Sequence, residues 1–387
     1  MSVQGVLAAT LVEPGRYEIR EYPLPDPAPG CLLVKMEVSG ICGTDKHTYQ
    51  GYVGQYGGSG APRPVPFPII QGHENVGTIA AIGGGEASYT DFEGIPLRVG
   101  DRVIVGPNVS CGTCYSCRHD FPYYCCENTV DYGNNIGAAN PPHLFGGWSQ
   151  YLYVVPGSFL VKVPDELPSE IAVLAEIMAV TVGLDRAKQI SAFPSESFRF
   201  DDSVVVLGTG PLGICFVMKA RMLGAGTIIA IDLSDYRLNF AGKLGADHVI
   251  NAARTSESER LAMVRGFTHG RGADVVVECA GVPHAVRESL EMLRVGGLLV
   301  EAGNFSDMGE VSISPHRHLC AKNVRILGVG GEEPAAYGPG MRQMARYMQH
   351  YPLREFVTHR FGLRQVDAAM KKSMDADSMK VVIDPWS

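Results

Sequence analysis

Long apolar runs and an excess of positive charge are both missing from this sequence of 387 residues. No apolar stretch reaches the roughly 18 residues that cross a bilayer, so we expect no membrane-spanning helix. Glu13, Arg16 and Glu18 come too early for the apolar region of a signal peptide. The formal net charge of −8 disfavours a nucleic-acid partner, which attracts basic faces. We therefore predict a cytoplasmic protein with neither a membrane nor a nucleic-acid partner.

Internal repeats and low-complexity tracts are also absent, apart from a glycine-rich stretch at residues 50–66. The composition, 45% hydrophobic and 19% charged, is that of a folded globular protein. Because one domain takes roughly 100–200 residues, this length predicts two domains.

The texture of the chain changes near residue 180. Before it, short strand-like runs such as 32–38 and 102–105 are separated by glycine and proline, which indicates a mostly β domain. After it, apolar strands such as 203–207 alternate with helical stretches, which is typical of a parallel sheet covered on both faces. We predict an α/β protein with a first domain at 1–180, to which 326–387 returns, and a doubly wound domain at 181–325.

A glycine turn in the second half indicates a dinucleotide site. Gly208, Gly210 and Gly213 have the G-x-G-x-x-G spacing between a strand and a helix, with Pro211 and Leu212 between the last two glycines. The next strand ends in an acid placed to bind the adenosine ribose, Asp232, and Arg237 follows near the same position. An acid there repels a 2′-phosphate, so NAD is favoured over NADP. The alternative is another doubly wound domain in which Asp232 only caps a helix.

A cluster of cysteines predicts a structural zinc site. Cys111, Cys114 and Cys117 are followed by the adjacent Cys125 and Cys126. Structural zinc takes four tetrahedral thiolates and leaves no open position. Spacing favours Cys125 as the fourth ligand, with Cys126 as the alternative; a set of free thiols is the other interpretation.

A second group of metal-binding residue types lies nearer the N-terminus. Cys42 stands in the segment that also holds Thr44, Asp45 and His47, and His73-Glu74 follows later. Thiolate, imidazole and carboxylate are the ligands of catalytic zinc, which keeps one position open. Taken singly, a cysteine is more often a core residue and a histidine more often a hydrogen-bonding one.

The sequence resembles the zinc-containing medium-chain dehydrogenases over most of its length. The motifs that carry this resemblance are GICGTDKH, GHENVGTIAAIG, GDRV, CGTCYSC, AEI, GTGPLG and GADVVVECAG. The resemblance implies a groES-like catalytic domain, a Rossmann domain, and a cleft between them for NAD and zinc.

The resemblance also assigns residue roles. It implies that Cys42, His73 and Glu176 bind the catalytic zinc, and that Glu74 is either a ligand or a neighbouring carboxylate. Asp45 corresponds to the acid that orients the zinc-bound histidine. A glutamate at 176 is similar to the polyol, glucose and threonine dehydrogenase branches, which favours a polyol or secondary alcohol as substrate.

Thr44 and His47 correspond to a relay that carries a proton from the substrate to solvent. We therefore expect an NAD-dependent zinc alcohol or polyol dehydrogenase with one catalytic and one structural zinc, assembled as a homodimer or homotetramer. An aldehyde or ketone reductase of the same family is the first alternative, and a non-catalytic binding protein with this fold is the remote one.

Two long loops, 50–66 and 128–147, are candidates for shaping the substrate pocket. Their neighbourhood carries aromatic residues that either line it or lie exposed: Tyr49, Tyr52, Tyr56, Tyr132, His143 and Phe145.

Overall fold

The computed structural model describes residues 5–52, 54–55, 63–85, 89–119, 126, 129–191 and 193–387. The chain divides into two compact units, of which the first is Met1–Glu176 with Glu333–Ser387 and the second is Ile177–Glu332. The second unit therefore ends later than the expected boundary at residue 325. The reason is that the strand Arg325–Gly328 pairs in parallel with the strand Leu293–Glu301, which belongs to that unit.

Strands outnumber helices in the described part of the first unit, and the second unit alternates strands with helices. The strands are β1 (Gly5–Glu13), β2 (Arg16–Pro23), β3 (Leu32–Gly40), β4 (Gly54–Gln55), β5 (Arg63–Pro64), β6 (Ile69–Ile70), β7 (Glu74–Ile82), β8 (Arg102–Val105), β9 (Asn108–Val109), β10 (Val130–Asp131), β11 (Tyr151–Val154), β12 (Leu160–Lys162), β13 (Ser203–Leu207), β14 (Thr227–Asp232), β15 (His248–Asn251), β16 (Ala273–Glu278), β17 (Leu293–Glu301), β18 (Arg325–Gly328), β19 (Val357–Gly362) and β20 (Lys380–Asp384).

The helices are α1 (Gly43–Tyr49), α2 (Tyr115–His119), α3 (Ser169–Ala172), α4 (Ala175–Val180), α5 (Val182–Gln189), α6 (Pro211–Met222), α7 (Asp235–Lys243), α8 (Glu257–Phe267), α9 (Pro283–Met292), α10 (Pro334–Tyr347) and α11 (Val366–Met374). Among the described residues, no helix combines the length and the apolar character needed to cross a membrane.

The main sheet of the first unit has the strand order β12-β8-β7-β3-β20-β19, and β11 also pairs with β3. The long antiparallel pair of β3 and β7 runs from Leu32 opposite Ile82 to Gly40 opposite Glu74. The C-terminal strand β20 lies on the other side of β3, with Val382 opposite Gly40. The end of β3 is therefore flanked by the start of β7 and by β20, which places three distant parts of the chain together.

The second unit is a parallel sheet with the order β15-β14-β13-β16-β17-β18. Every residue of β13 and of β16 is buried, because helices cover both faces of the sheet. The two faces carry separate apolar clusters, one around Phe216 and one around Ile231. The strand order reverses between β13 and β16, and open α/β sheets bind ligands at the carboxyl ends of the strands at such a point.

Candidate functional site

The fold brings Cys42 and His73 together through the pairing of β3 with β7. Cys42 follows the end of β3 and is the N-cap of α1, where its backbone N–H donates to the Asp45 carboxylate over 2.9 Å. His73 immediately precedes β7, and Gly72 before it has φ +94, where a Cβ would lie 2.4 Å from the Trp148 ring. A side chain at position 72 is therefore excluded twice, by backbone conformation and by contact.

His73 is buried in negative surroundings. Its Nδ1 lies 3.7 Å from Asp45 Oδ1 and has no hydrogen-bond partner among the described residues. Burial alone would lower the pKa of His73, but the charges of Asp45, Cys42 and Glu176 and a hydrogen bond with Cys42 raise it well above the ordinary value. This field favours a positive charge at the imidazole. A thiolate, an imidazole and a nearby carboxylate also have the donor chemistry of zinc, so these residues fit a zinc ion.

Glu176 lies in the first turn of α4 and is 8% exposed. Its charge acts on both His73 and Lys380, which places it in the same neighbourhood. Across the described residues, however, the one group of three or more potential ligands that all lie within 4.8 Å of one another is the cysteine cluster. Cys42, His73 and Glu176 thus surround a wider space than the four thiols do.

Glu74 is held by a residue that the sequence motifs do not reveal. Lys380 Nζ lies 2.6 Å and 2.7 Å from the two Glu74 carboxylate oxygens, and both side chains are buried. Desolvation lowers the pKa of Lys380, but Glu74 and Cys42 raise it above its ordinary value. Because both oxygens of Glu74 are engaged by this ammonium group, the geometry favours a neighbouring carboxylate over a direct metal ligand.

Asp45 is positioned by two further residues that sequence reasoning missed. It is fully buried, and Gln71 Nε2 donates to its carbonyl oxygen at 3.2 Å and to its carboxylate at 3.4 Å. The Tyr17 hydroxyl donates in turn to the side-chain oxygen Oε1 of Gln71. Desolvation raises the pKa of Asp45, against the effects of His73 and of the Cys42 backbone. Only the adjacency of Gln71 to the GHE motif could have pointed to it.

Thr44 and His47 lie on α1, beside Cys42. The Thr44 hydroxyl oxygen is 3.9 Å from the Cys42 sulfur. Burial first, and then the charge of Lys46, lowers the pKa of His47. The His47 ring meets the Tyr52 ring edge-on, with 6.2 Å between centroids. One short helix therefore carries a thiol, a hydroxyl and an imidazole in succession.

The four-cysteine group forms around α2. Its members, whose sulfur atoms all lie within 4.8 Å of one another, are Cys111, Cys114, Cys117 and Cys126. The backbone N–H of Cys111 donates to Cys126 Sγ over 3.2 Å. The geometry thus favours Cys126, not the Cys125 that spacing favoured, as the fourth ligand; Cys125 itself lies outside the described residues.

The thiols of this cluster perturb one another. Hydrogen bonds from Thr113 and from backbone N–H groups lower the pKa of Cys111 to about 5. Burial, and then hydrogen bonds with Cys114 and Cys126, raise the pKa of Cys117 to about 12. Four cysteine sulfur atoms in this small space match the ligand set of a structural zinc ion.

The loop before β11 is hydrogen-bonded to the segment that carries His73. Its backbone bonds to the segment before His73: Gly147 N donates to Gly72 O, and Trp148 N donates to Gln71 O. Tyr132 is fully buried in the core, so it neither lines a pocket nor lies exposed, which were the two possibilities that the sequence left open. The other aromatic candidates divide between packed and exposed positions: Tyr49 stacks on Tyr17, His143 lies against Tyr22, Phe145 packs on the core, Tyr52 is exposed, and Tyr56 lies outside the described residues.

The glycine turn has the geometry that phosphate binding needs. Gly208 has φ +90, and a Cβ there would lie 2.5 Å from Ala280 N; a Cβ on Gly213 would lie 1.9 Å from Gly208 O. Gly210, the N-cap of α6, faces open space, with no atom within 4 Å of its Cβ position. The Thr209 hydroxyl is buried and has no hydrogen-bond partner in the described part of the chain. These features fit a dinucleotide pyrophosphate at the positive end of α6.

Asp232 ends β14 beside this turn. Its carboxylate accepts from Thr209 N at 2.7 Å and from Ser234 N at 2.9 Å. Each oxygen keeps a further lone pair for a ribose hydroxyl. Pro211 and Leu212 begin α6, and Arg237 lies in the first turn of α7, where its N–H bonds to the Ser234 hydroxyl.

Both units match described protein families. Residues 28–165 match the alcohol dehydrogenase GroES-like domain, and residues 211–346 match the zinc-binding dehydrogenase family. Together these matches cover more than half of the chain. The expected combination of a GroES-like domain with a Rossmann domain is confirmed.

Individual relatives cover almost the whole chain. The 5-exo-hydroxycamphor dehydrogenase of Pseudomonas putida is 34% identical, with 99% of each chain covered. The sorbitol dehydrogenase of Bacillus subtilis is 31% identical, covering 99% of this chain and 98% of the relative. The crystal structure of an alcohol dehydrogenase from Thermotoga maritima has a TM-score of 0.87 at 29% identity, covering 98% of this chain and 99% of the other. The chain belongs to the zinc-containing medium-chain alcohol and polyol dehydrogenase family, and it is an oxidoreductase.

We predict that Lys380→Met lowers the free energy of unfolding by ~3–5 kcal/mol, because it leaves Glu74 buried without its cation. Chemical denaturation measures the loss. Lys372→Met removes a lysine whose acidic partners are largely exposed, and should cost less than ~1 kcal/mol. Adding Glu74→Gln to Lys380→Met should recover part of the stability. Equal losses for the two lysine variants would contradict the structural importance of the pair.

We also predict that Cys126→Ser loses one equivalent of bound zinc, whereas Cys125→Ser keeps it. The reason is that Cys126 places its sulfur with the other three thiols. Elemental analysis of the two purified variants decides between the neighbouring cysteines. The opposite result would restore Cys125 as the ligand.

Proposed function

We propose that this chain is an NAD-dependent zinc dehydrogenase that oxidises a secondary alcohol or polyol reversibly to the carbonyl compound. The observation that carries the proposal is the buried imidazole of His73, which has the partly buried Cys42 and the carboxylates of Glu176 and Asp45 around it. Few other arrangements call for a thiol and an imidazole together in so negative an environment.

Cys42, His73 and Glu176 would hold the catalytic zinc, and Asp45 would fix the orientation of the His73 ring. A zinc ion bound there supplies Lewis acidity toward a substrate hydroxyl, and a nicotinamide accepts the hydride. Glu74, paired with Lys380, shapes the electrostatic field around these ligands without binding the metal. Neighbouring groups of this kind commonly tune metal affinity and activity.

Oxidation of an alcohol releases a proton, and the residues on α1 offer it a path. The Thr44 hydroxyl can accept a proton and donate another, and it lies next to the Cys42 sulfur. His47 is the next titratable group outward, and its lowered pKa keeps its imidazole able to accept a proton near neutral pH. We assign Thr44 and His47 to the proton relay.

Asp232 supports a preference for NAD. Its carboxylate lies beside the glycine turn and is a natural acceptor for two ribose hydroxyls, whereas a 2′-phosphate would meet its negative charge. Gly208, Gly210 and Gly213, with Pro211 and Leu212, would form the pyrophosphate site, and Arg237 would lie near the adenosine.

The preference for a secondary alcohol or polyol has two supports. One is Glu176, because the polyol, glucose and threonine dehydrogenase branches resemble this sequence in having a glutamate at this position. The other is the pair of relatives named for hydroxycamphor and sorbitol. The reverse reaction, reduction of an aldehyde or ketone, is the second candidate, because one transition state serves both directions.

Three further properties complete the proposal. Cys111, Cys114, Cys117 and Cys126 would hold a second, structural zinc. No disulfide joins the described cysteines, which suits a reducing cytoplasm. The chain would assemble as a homodimer or homotetramer, for which the edge strand β18, with Ile326 exposed, offers a place.

A substrate panel tests the proposed activity. We expect NADH formation, read by absorbance, from polyols or secondary alcohols in preference to primary ones. Cys42→Ala should lower kcat/KM more than ~100-fold because a metal ligand is lost, while NAD binding persists. Cys31→Ala, which changes a buried cysteine of the core, is the matched control and should keep activity. Near-normal turnover of Cys42→Ala would exclude the catalytic site assigned to it.

The coenzyme preference has its own test. Asp232→Ala should weaken NAD binding by ~10–100-fold and reduce discrimination against NADP, because charge-assisted hydrogen bonds to the ribose are lost. Asp235→Ala removes an exposed acid three residues later, which pairs with Arg254, and should leave both affinities unchanged. Titration with each coenzyme measures the ratio. An unchanged ratio in Asp232→Ala would reject the ribose role.

A further inference from the structure

A buried and a partly buried glutamate lie side by side at the carboxyl edge of the parallel sheet. Glu278 ends β16 and Glu301 ends β17, and the two residues are paired in the register of these neighbouring strands. Glu278 is fully buried, and Glu301 is partly buried. Neither residue belongs to the glycine turn or to the metal ligands described above.

The hydrogen bonds of Glu278 use both of its oxygens. Oε1 accepts from Ala280 N at 2.7 Å and from Gly281 N at 3.1 Å. Oε2 accepts from the side-chain amide of Asn304 at 3.1 Å. The carboxyl group therefore ties the loop after β16 to the loop after β17.

The hydrogen bonds of Glu301 are concentrated on one oxygen. Oε1 accepts from Gly303 N at 3.2 Å, and from the backbone and the side-chain amide of Asn304, both at 3.0 Å. Oε2 is buried and has no donor among the described residues. An ionised carboxylate oxygen left in this state is costly, and a proton held between the two carboxyl groups would satisfy it.

The electrostatics agree with one proton for two carboxyl groups. Burial first, and then the charge of Glu301, raises the pKa of Glu278 to about 8. Two thiols lie nearby: Cys279, which directly follows β16, has its pKa raised by burial and by both glutamates, and Cys215 on α6 raises it further. Neutral thiols give the second carboxylate charge no compensation, so one of the two glutamates stays protonated near neutral pH.

The pair lies directly behind the glycine turn. A Cβ on Gly208 would lie 2.5 Å from Ala280 N, so the turn packs on the loop that Glu278 holds. A Cβ on Gly303 would lie 2.3 Å from Glu278 Oε2, and one on Gly281 would lie 2.7 Å from Gly303 O. If the distance between the two carboxyl groups changes, the loops after β16 and β17 therefore have to move, and the glycine turn packs against the first of these loops.

We propose that Glu278 and Glu301 share a single proton and act as positioning residues for the coenzyme, which binds best while that proton is held. The effect of the shared proton on coenzyme binding rests on the proposed function, whereas the existence of that proton does not. When the proton leaves, two adjacent carboxylates repel each other, with only Asn304 bridging them, and the loops that support the turn separate. The added negative charge would also repel the phosphates of a coenzyme bound at the turn.

The direction of the pH dependence follows from linkage. Because the protonated pair is the form that binds coenzyme, affinity is full below the pKa of the pair and falls as the pH rises through about 8. Glu301→Gln places a permanent N–H donor at the Oε2 position, which has no donor among the described residues, and keeps an oxygen for the three donors at Oε1. This variant should therefore hold the loops together at every pH, and its affinity should not fall.

Infrared spectroscopy of the whole protein without coenzyme tests the shared proton. The C=O stretching absorption of a protonated carboxyl group should be present at neutral pH, and should be lost in both Glu278→Gln and Glu301→Gln. If both variants keep the full absorption of the unchanged protein, the shared proton is refuted. Because this measurement needs no coenzyme, it stands whatever the catalytic activity proves to be.

NADH titration followed by fluorescence tests the positioning role. From pH 7 to pH 9.5 we expect the affinity of the unchanged protein to weaken ~10-fold, and that of Glu301→Gln to change less than ~2-fold. Glu310→Gln, an exposed acid of the same unit, should keep the full pH dependence. If Glu301→Gln and Glu278→Gln keep it as well, another group titrates and the positioning role is overturned. If the unchanged protein binds no NADH at any pH, the proposed function fails, and the infrared result alone decides the pair.

Discussion

The buried ion pair between Lys380 and Glu74 is the interaction on which the chemistry of the first unit depends. The negative groups Cys42, Asp45 and Glu176 surround His73. Lys380 is a positively charged side chain of the protein that partly neutralises this negative field. The pair also joins β20 to the start of β7 across 306 residues of sequence. The C-terminal segment is therefore part of the site, because without its lysine a buried glutamate would face three other acidic groups with no compensation.

Three buried carboxyl groups of the two sites, those of Glu74, Asp45 and Glu278, have different kinds of partner. Glu74 has an ammonium group, whereas Asp45 has the Cys42 N–H and the Gln71 amide. Glu278 accepts hydrogen bonds from backbone N–H groups and from Asn304. In our proposal it also shares a proton with Glu301. The choice of partner sets the function available to each. A cation fixes a charge permanently, neutral donors orient it, and a shared proton can be lost when the pH rises.

Much of both sites is encoded locally, and those parts could be predicted. The glycine turn, its helix and Asp232 lie within one strand-helix-strand unit, so spacing alone gives their arrangement. The first three cysteines of the thiol cluster, Cys111, Cys114 and Cys117, are close together in the sequence, so spacing also predicts that their sulfur atoms converge. The fourth did not follow, because Cys125 and Cys126 are adjacent residues of the same type, and spacing along the sequence cannot distinguish between them.

What the sequence by itself determined was the class of each unit and the residue types at the metal and dinucleotide sites, because periodicity and short motifs are read from neighbours along the chain. The tertiary structure alone decided which distant residues complete those sites. Lys380, Gln71 and Tyr17 carry no motif, and Glu301 is one polar residue at the end of an apolar strand. Their roles arise from strand pairing and burial, which bring together groups far apart in sequence and make the loss of water, rather than the residue type, the source of their interaction energy.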